Sequence, residues 1–552
     1  MAAQDPPPDV RFGAVEAFWD AASAVEAGVA WERILFYWSE LQPTGPDDWN
    51  GYHVQDVWLE WAAAQGREVI GLLKHTPQWA TDGPLGCGVP RGLDLPIDDP
   101  GNLWATFVRR TVGMYTGRID RWIIWNEPEI DPRTYGHEWC GSMEEYYRLL
   151  KVAYLAAHQA NPDVTIHLAG MTFWHDRGYL RRFLAHVVQD PTAPDHDYYF
   201  DVVATHIYFQ TETVPYIINE TRAALRAYGL DKPIWVNETN ASPDSDPLWP
   251  LVRPRWRVSL EEQAGFLLQG FALALSAGAE RIAVYKWMDA GLPPGGEPFG
   301  ILRPDGSRRP AFDAYRLITT HYAGTISAHE NRQPLYMIVT LNRGSRTTRA
   351  LWARTASAAT VSVPALASHA RLIDQTGAEQ LIEPVDGYYT FTLPGARCAD
   401  PLDGCIIGGT TYLIIEDGND TSLAMVTTTS TPTQTTEIAP TETPTTTLPT
   451  ETATPSPTPT LLPTDTPVPT NTPTSTPVPT ETPPPTPPST RTPTPTPLPT
   501  APPPPTGTPI PPTAQSSSTA TSSILVWPLL LAMVIVTILA AIIGTISSYR
   551  EG

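Results

Sequence analysis

Lysine and cysteine are scarce in this chain, and the motifs that hold metals or nucleotides are missing. Lys74, Lys151, Lys232 and Lys286 are the only lysines among 552 residues, and acidic residues outnumber basic ones, 58 to 36. A net charge of -22 lacks the basic surface that a phosphate backbone demands, which argues against a nucleic-acid partner. No HExxH occurs and the histidines are scattered, so neither a metal site nor a cofactor is expected. No GxGxxG follows the first apolar run, which leads straight into Glu16-Ala17-Phe18-Trp19; this disfavours a dinucleotide-binding, doubly wound sheet. No GxSxG is present to carry a serine nucleophile. The four cysteines, Cys87, Cys140, Cys398 and Cys405, form no CxxC, which removes zinc-ribbon and thioredoxin readings. Two disulfides fit an exported protein. No apolar run follows the polar, proline-rich residues 1–8, so no signal peptide stands there. Given the exported character of the rest, the expectation is that the true N-terminus lies upstream of Met1.

The chain is organised around Trp122-Ile123-Ile124-Trp125-Asn126-Glu127-Pro128-Glu129. Four apolar residues in a row suit a strand covered on both faces. Pro128 has no N–H to give and stops the ladder, which leaves Asn126-Glu127 at the strand's C-terminal lip. Downstream, Lys232-Pro233-Ile234-Trp235-Val236-Asn237-Glu238-Thr239 repeats the pattern. Strands are predicted at 10–15, 31–36, 69–74, 121–125, 164–169, 201–206, 233–236 and 281–286, with helical patterns between them, for example 143–158 and 260–277. Eight strands, each followed by a helix, predict an α/β fold, a (β/α)8 barrel over residues 1–325. Cys87 and Cys140 then fall in loops at the barrel's C-terminal lip, and Cys398 and Cys405 flank a turn.

After the barrel the texture changes to short alternating runs at 335–341, 350–355, 360–363, 370–374, 388–393 and 411–416, separated by Gly344, Gly377 and Gly387. They predict a small all-β, sandwich-like module over 326–422. Residues 423–522 are mostly Thr, Pro and Ser and cannot bury a core, so a disordered, extended stalk suited to O-glycosylation is expected there. At roughly 3 Å per residue a stiff stalk would reach on the order of 200 Å or more. Residues 523–547 are apolar and long enough for a transmembrane helix, leaving 548–552 as a short cytoplasmic tail. Arg550 beyond the span favours that orientation, with the barrel facing outward on a single-pass cell-membrane anchor.

Two carboxylates on two strand ends are what cleavage of a glycosidic bond requires. Glu127 would protonate the leaving oxygen, Glu238 would attack the anomeric carbon, and Asn126 would bond the hydroxyl beside it. Trp125-Asn126-Glu127-Pro128 and Val236-Asn237-Glu238-Thr239, on strands four and seven, resemble clan A of the glycoside hydrolases over about 10–322. The resemblance implies a retaining mechanism, with Glu127 as acid/base and Glu238 as nucleophile. It further implies that Arg33 supports the nucleophile, that His206 and Tyr208 lie beside it and the sugar, and that Trp287 is an aromatic platform under the reactive sugar. Within the clan, the loop Thr76-Pro77-Gln78-Trp79-Ala80 and the trailing β module resemble family 39 most, with family 5 a close rival. His75, ending strand three, is a further candidate for substrate contact; Trp38, Trp79 and Trp125 are equally well read as core. Asn219, Asn237, Asn240 and Asn419 begin glycosylation sequons that read as chance matches. The expected function is a retaining glycosidase acting on a poly- or oligosaccharide at the cell surface. The alternatives are a transglycosylase and a non-catalytic glycan binder on a dead barrel. Sugar identity and oligomeric state are left open.

Overall fold

A computed structural model describes residues 7–131, 138–250, 256–289, 298–398 and 405–418. Its larger element is a ring of parallel strands: β1 (Phe12–Val15), β2 (Trp31–Tyr37), β3 (Glu68–Lys74), β4 (Arg121–Asn126), β5 (Thr165–Gly170), β6 (Val203–Tyr208), β7 (Ile234–Asn240) and β8 (Arg281–Val284). They pair in the order β5-β4-β3-β2-β1-β8-β7-β6. Parallel bridges His167–Val202 and Met171–Thr205 join β5 to β6, which closes the barrel. The helices run outside it: α1 (Ala21–Glu26), α2 (Trp38–Leu41), α3 (Asp56–Ala64), α4 (Leu103–Tyr115), α5 (Met143–Ala160), α6 (Tyr179–Val187), α7 (Thr213–Ala227), α8 (Leu260–Ser276) and α9 (Pro310–His321). α5 and α8 each begin with a capping box, Ser142 with Glu145 and Ser259 with Glu262, which satisfies the first free N–H groups of the two longest helices.

The strands are buried on both faces, hence their near-continuous apolar runs. Trp31 and Trp235 fill the barrel interior with ring centroids 5.2 Å apart, packed with Ile70, Leu72 and Ile123. Gly13 makes room for this, since a Cβ there would meet the Trp31 ring at 2.2 Å. Two strand ends differ from expectation. Val10 is exposed and lies before β1. β8 stops at Val284, two residues short of Lys286. Beyond it the Tyr285 carbonyl accepts from Asn240 Nδ2 at 2.8 Å and the Trp287 N–H donates to the Val15 carbonyl at 3.0 Å, so the chain leaves the ladder.

The second element is a two-layer β module. β9 (Ser327–Arg332), β10 (Tyr336–Asn342), β11 (Arg346–Ala353), β13 (Ala370–Asp374), β14 (Glu379–Ile382) and β16 (Tyr412–Asp417) form one antiparallel sheet, while β12 (Ala359–Pro364) and β15 (Tyr388–Leu393) form the other. Leu351, Val361, Val363, Leu393 and Ile414 meet between them. β9 and β14 had no counterpart among the predicted strands. Both are sheet edges with mostly exposed side chains, so they lack the apolar alternation that marks a strand. Both cysteine pairs are bonded, Cys87–Cys140 and Cys398–Cys405. Among the described residues no helix is long and apolar enough to cross a membrane. The stalk and anchor expected over 423–547 lie outside the described residues, as does the tail.

The module is fastened to the barrel through Gln269 on α8. Its Nε2 donates to the Gly409 carbonyl at 2.9 Å and its Oε1 accepts the Gly408 N–H at 3.0 Å. Gln269→Ala deprives the buried Gly409 carbonyl and the half-buried Gly408 N–H of this partner, and thermal unfolding is expected to register a loss of about 1–3 kcal/mol.

Candidate active site

The site forms where β2, β4, β6 and β7 end at the barrel's C-terminal lip. Along β4 the backbone turns into rarely used territory, with φ of 74° at Trp125 and 41° at Glu127. Two bonds hold it there. The Glu127 N–H donates to the Gly170 carbonyl at 3.0 Å, and Trp125 Nε1 donates to the Glu138 carbonyl at 2.7 Å. The Glu127 carboxyl thus projects across the mouth toward β6 and β7.

Glu238, 111 residues downstream in sequence, is buried on β7. Arg33 on β2 pairs with its Oε1, and the Tyr208 hydroxyl on β6 donates to its Oε2. His206 stands between the two acids: Nδ1 lies 2.6 Å from Glu127 Oε1 and 3.4 Å from Glu238 Oε2. Polar atoms of Glu127, His206 and Glu238 all fall within 4.8 Å of one another. His206 fits because β5 ends in glycine; a Cβ on Gly170 would sit 2.0 Å from His206 Nε2. Asn126 Oδ1 is buried beside Glu127 without a hydrogen-bond partner among the described residues, an acceptor open to a hydroxyl.

The charges are set by burial and by these partners. Burial pushes the Glu238 carboxyl up, but Arg33, His206 and the Tyr208 hydroxyl outweigh it and hold its pKa below the usual 4.5. Burial pulls His206 down, yet Glu238 and Glu127 leave it above the ordinary histidine value. The Tyr208 hydroxyl is pushed well up, by burial and then by Glu238. A histidine and two glutamates at such distances satisfy the spacing a cation needs. Both Glu238 oxygens, however, already accept from donors, one of them a fixed guanidinium charge, so the donor set suits carboxylate chemistry better.

The structure therefore brings Arg33, Asn126, Glu127, His206, Tyr208 and Glu238 together at one lip. His75 directly follows β3, with Nδ1 2.8 Å from Ser39 Oγ and its ring 4.9 Å from that of Tyr37. Trp287 is a correction. It is fully buried, its Nε1 donates to Ser23 Oγ at 3.0 Å, and its ring packs edge-on against Phe312 and Tyr315 of α9. Since β8 ends before it, the residue that the resemblance assigns to the platform packs into the core and not at the mouth. Tyr285 takes that place, 5.9 Å from the Tyr208 ring and within reach of the charges of Glu238 and Arg33. Three more groups escaped sequence reasoning. Glu16, directly after β1, lies 3.7 Å from Lys286, and Glu138 pairs with Lys74. Tyr37 is pushed up to about 12 by burial and by Glu16 and Glu138. Glu16 directly follows β1, Tyr37 is the last residue of β2 and Glu138 lies in the loop after β4, positions where residue type alone gives no signal. Trp38 and Trp125 are core; Asn237 and Asn240 are buried on β7, unavailable to a glycan.

No family model matches the chain, nor does any curated protein. Solved structures do, and what they share with it is the fold. A family 39 glycoside hydrolase from Bacteroides cellulosilyticus WH2 superposes with a TM-score of 0.55 at 17% identity, covering 74% of this chain and 81% of that one. A family 39 β-xylosidase from Caulobacter crescentus gives 0.50 at 15%, covering 75% and 97%. CelM2, a bifunctional glucanase-xylanase from a metagenome library, gives 0.51 at 10%, covering 75% and 97%. The fold, a (β/α)8 barrel followed by a β module, is thus one shared with solved glycoside hydrolases of family 39.

Two substitutions test the electrostatics. A reaction that uses Glu238 as an anion should lose kcat/KM only as pH drops through a value below 4.5. Arg33→Gln removes the largest lowering influence and leaves burial, which raises the pKa. The acid limb of the kcat/KM profile should then move toward neutral pH by about 1–3 pH units. Gly170→Ala displaces His206, and turnover should drop by about 100-fold, the size of effect expected for a misplaced reacting group.

Proposed function

We propose that this chain is a retaining glycoside hydrolase that cleaves O-glycosidic bonds of poly- or oligosaccharides by double displacement. The observation that carries the reading is the approach of Glu127 and Glu238 to within 4.8 Å, both also in reach of His206. Retaining enzymes keep their two carboxyls about 5–5.5 Å apart and inverting ones about 6.5–9.5 Å, to admit a water between them. In the first step Glu238 attacks the anomeric carbon, the bond to the leaving oxygen breaks, and Glu127 gives that oxygen a proton. In the second, Glu127 takes a proton from water, which attacks the same carbon and frees Glu238. Arg33 and Tyr208 keep the nucleophile ionised and aimed, and Asn126 accepts from the hydroxyl beside the reacting carbon. The similar structures named β-xylosidase and glucanase-xylanase support a substrate of this class. Wild type should turn over members of an aryl-glycoside panel, whereas Glu127→Ala and Glu238→Ala should lose at least about 1000-fold. Proton NMR of the first-formed sugar should show the anomeric configuration of the substrate; inversion or equal turnover in all three proteins refutes the mechanism.

We further propose that the enzyme is displayed on the outer face of a cell membrane. The Thr/Pro-rich 423–522 and the uncharged apolar run within 523–547 support this. Protease treatment of intact expressing cells should release the activity into the medium, and deletion of 523–552 should make it soluble without treatment.

A further inference from the structure

β6 ends on Tyr208, whose hydroxyl donates to Glu238, and the chain must turn at once to enter α7. The turn is tight. Phe209 takes a left-handed φ of 64°, the Gln210 N–H folds back onto the Tyr208 carbonyl at 2.8 Å, and the Phe209 N–H donates to the Asn240 carbonyl of β7 at 3.0 Å. A left-handed phenylalanine costs free energy and persists only where its surroundings fix it. β7 fixes one flank of the turn. The hold on the other comes from outside the barrel.

Three points of the β module converge on the next two residues, Thr211 and Glu212. The buried Thr211 donates its N–H to the Ile406 carbonyl at 3.1 Å. Arg354, directly after β11, gives Nε to Glu212 Oε1 and Nη2 to Oε2, the latter at 2.8 Å. Arg332, the last residue of β9, reaches the same Oε2 at 2.5 Å. Arg354 is itself pinned, since its Nη1 donates to the Gln333 carbonyl at 2.6 Å. Burial pushes the Glu212 carboxyl up, but Arg354 and Arg332 outweigh it and hold its pKa below the usual 4.5. Glu212 stands at the N-cap of α7, yet its side chain makes no bond to that helix. N-cap side chains ordinarily serve their own helix; this one is committed to the module.

A single ion pair at a surface contributes little. A carboxylate gripped by two guanidiniums, one of them on both oxygens, is fixed in direction as well as in charge. This grip lies four residues beyond Tyr208. We propose that Glu212 is a positioning residue for the reaction: held by Arg332 and Arg354 of the β module, it fixes the turn after β6 and so keeps the Tyr208 hydroxyl on the nucleophile. The proposal rests on the glycosidase reading above. It makes the β module a support of the active site and not a separable appendage.

The test asks whether the effect of Glu212 passes through Tyr208. On the aryl glycoside that the panel selects, Glu212→Gln and, from the module side, Arg354→Met should each lower kcat/KM about 5- to 10-fold. Tyr208→Phe has no hydroxyl left to position, and in that background either substitution should cost no more than about 2-fold. Equal losses in both backgrounds, or no loss in either, would mark a merely structural role and overturn the proposal. If wild type turns over no glycoside, the catalytic reading fails by itself, and the hold on the turn is judged by amide hydrogen exchange. Exchange that quickens over 206–210 in Glu212→Gln and in Arg354→Met, while 221–227 of α7 stays unchanged, upholds it. Exchange that changes alike in both stretches, or in neither, overturns it.

Discussion

A carboxylate kept charged where water hardly reaches is the constraint on which this structure turns. Burying an ion costs several kcal/mol even after relaxation, and that cost is met only by close, well-aimed partners. Glu238 has them on three sides: Arg33 from β2, His206 and Tyr208 from β6. No local stretch of chain supplies such a set. It takes strands distant in sequence, held side by side at fixed register, and a closed barrel supplies that. The parallel bridges from β5 to β6 matter for this reason, since an open seam there would let the His206–Tyr208 strand drift from Glu127.

Packing beneath the site serves the same end. Trp31 and Trp235 fill the barrel below the lip, and each lies close along its strand to a site residue, Arg33 and Glu238. Close packing transmits displacement, so a change in these rings would be felt by the ion pair above them. The glycines are part of this fit. Gly13 yields its side-chain volume to Trp31, and Gly170 yields its own to His206. Glu129 does comparable work one layer out. Its pKa is pushed up to about 7, by burial and then by the charge of Glu127, and its Oε1 is spent on Thr172. It ties the loop after β4 to the loop after β5.

What could be read from sequence followed from runs that end at the lip. Asn126-Glu127 and Asn237-Glu238 each close an unbroken apolar run, so their strands and their place at the strand ends were legible. His206 and Tyr208 were legible as a pair because they stand two apart on β6. Trp287 was not, because the ladder ends at Val284 and alternation carries no information past that point. Tyr285, Glu16 and Glu138 belong to turns, where direction is set by hydrogen bonds to distant strands. The β module repeats the lesson. Its core strands β13 and β15 carried the alternation that predicts them, while the exposed edges β9 and β14 had no apolar face to announce them.

The surroundings of the two acids also distinguish their roles in the proposed reaction. Glu238 is held by Arg33, whose charge is permanent across the physiological range. Its side chain is 7% exposed, against 16% for Glu127. A group that must remain an anion benefits from a partner that cannot lose its proton and from shelter against water. Glu127 has a different neighbour. Its side-chain partner is His206, a residue that exchanges its proton. A group that must surrender a proton to a leaving oxygen and take one back from water needs some access to solvent and a partner able to follow the change. Were the roles reversed, the acid/base would be pinned as an anion by a guanidinium and could not carry a proton in the first step. The proposed roles, Glu238 as nucleophile and Glu127 as acid/base, are thus supported by which neighbour is fixed in charge and which is not.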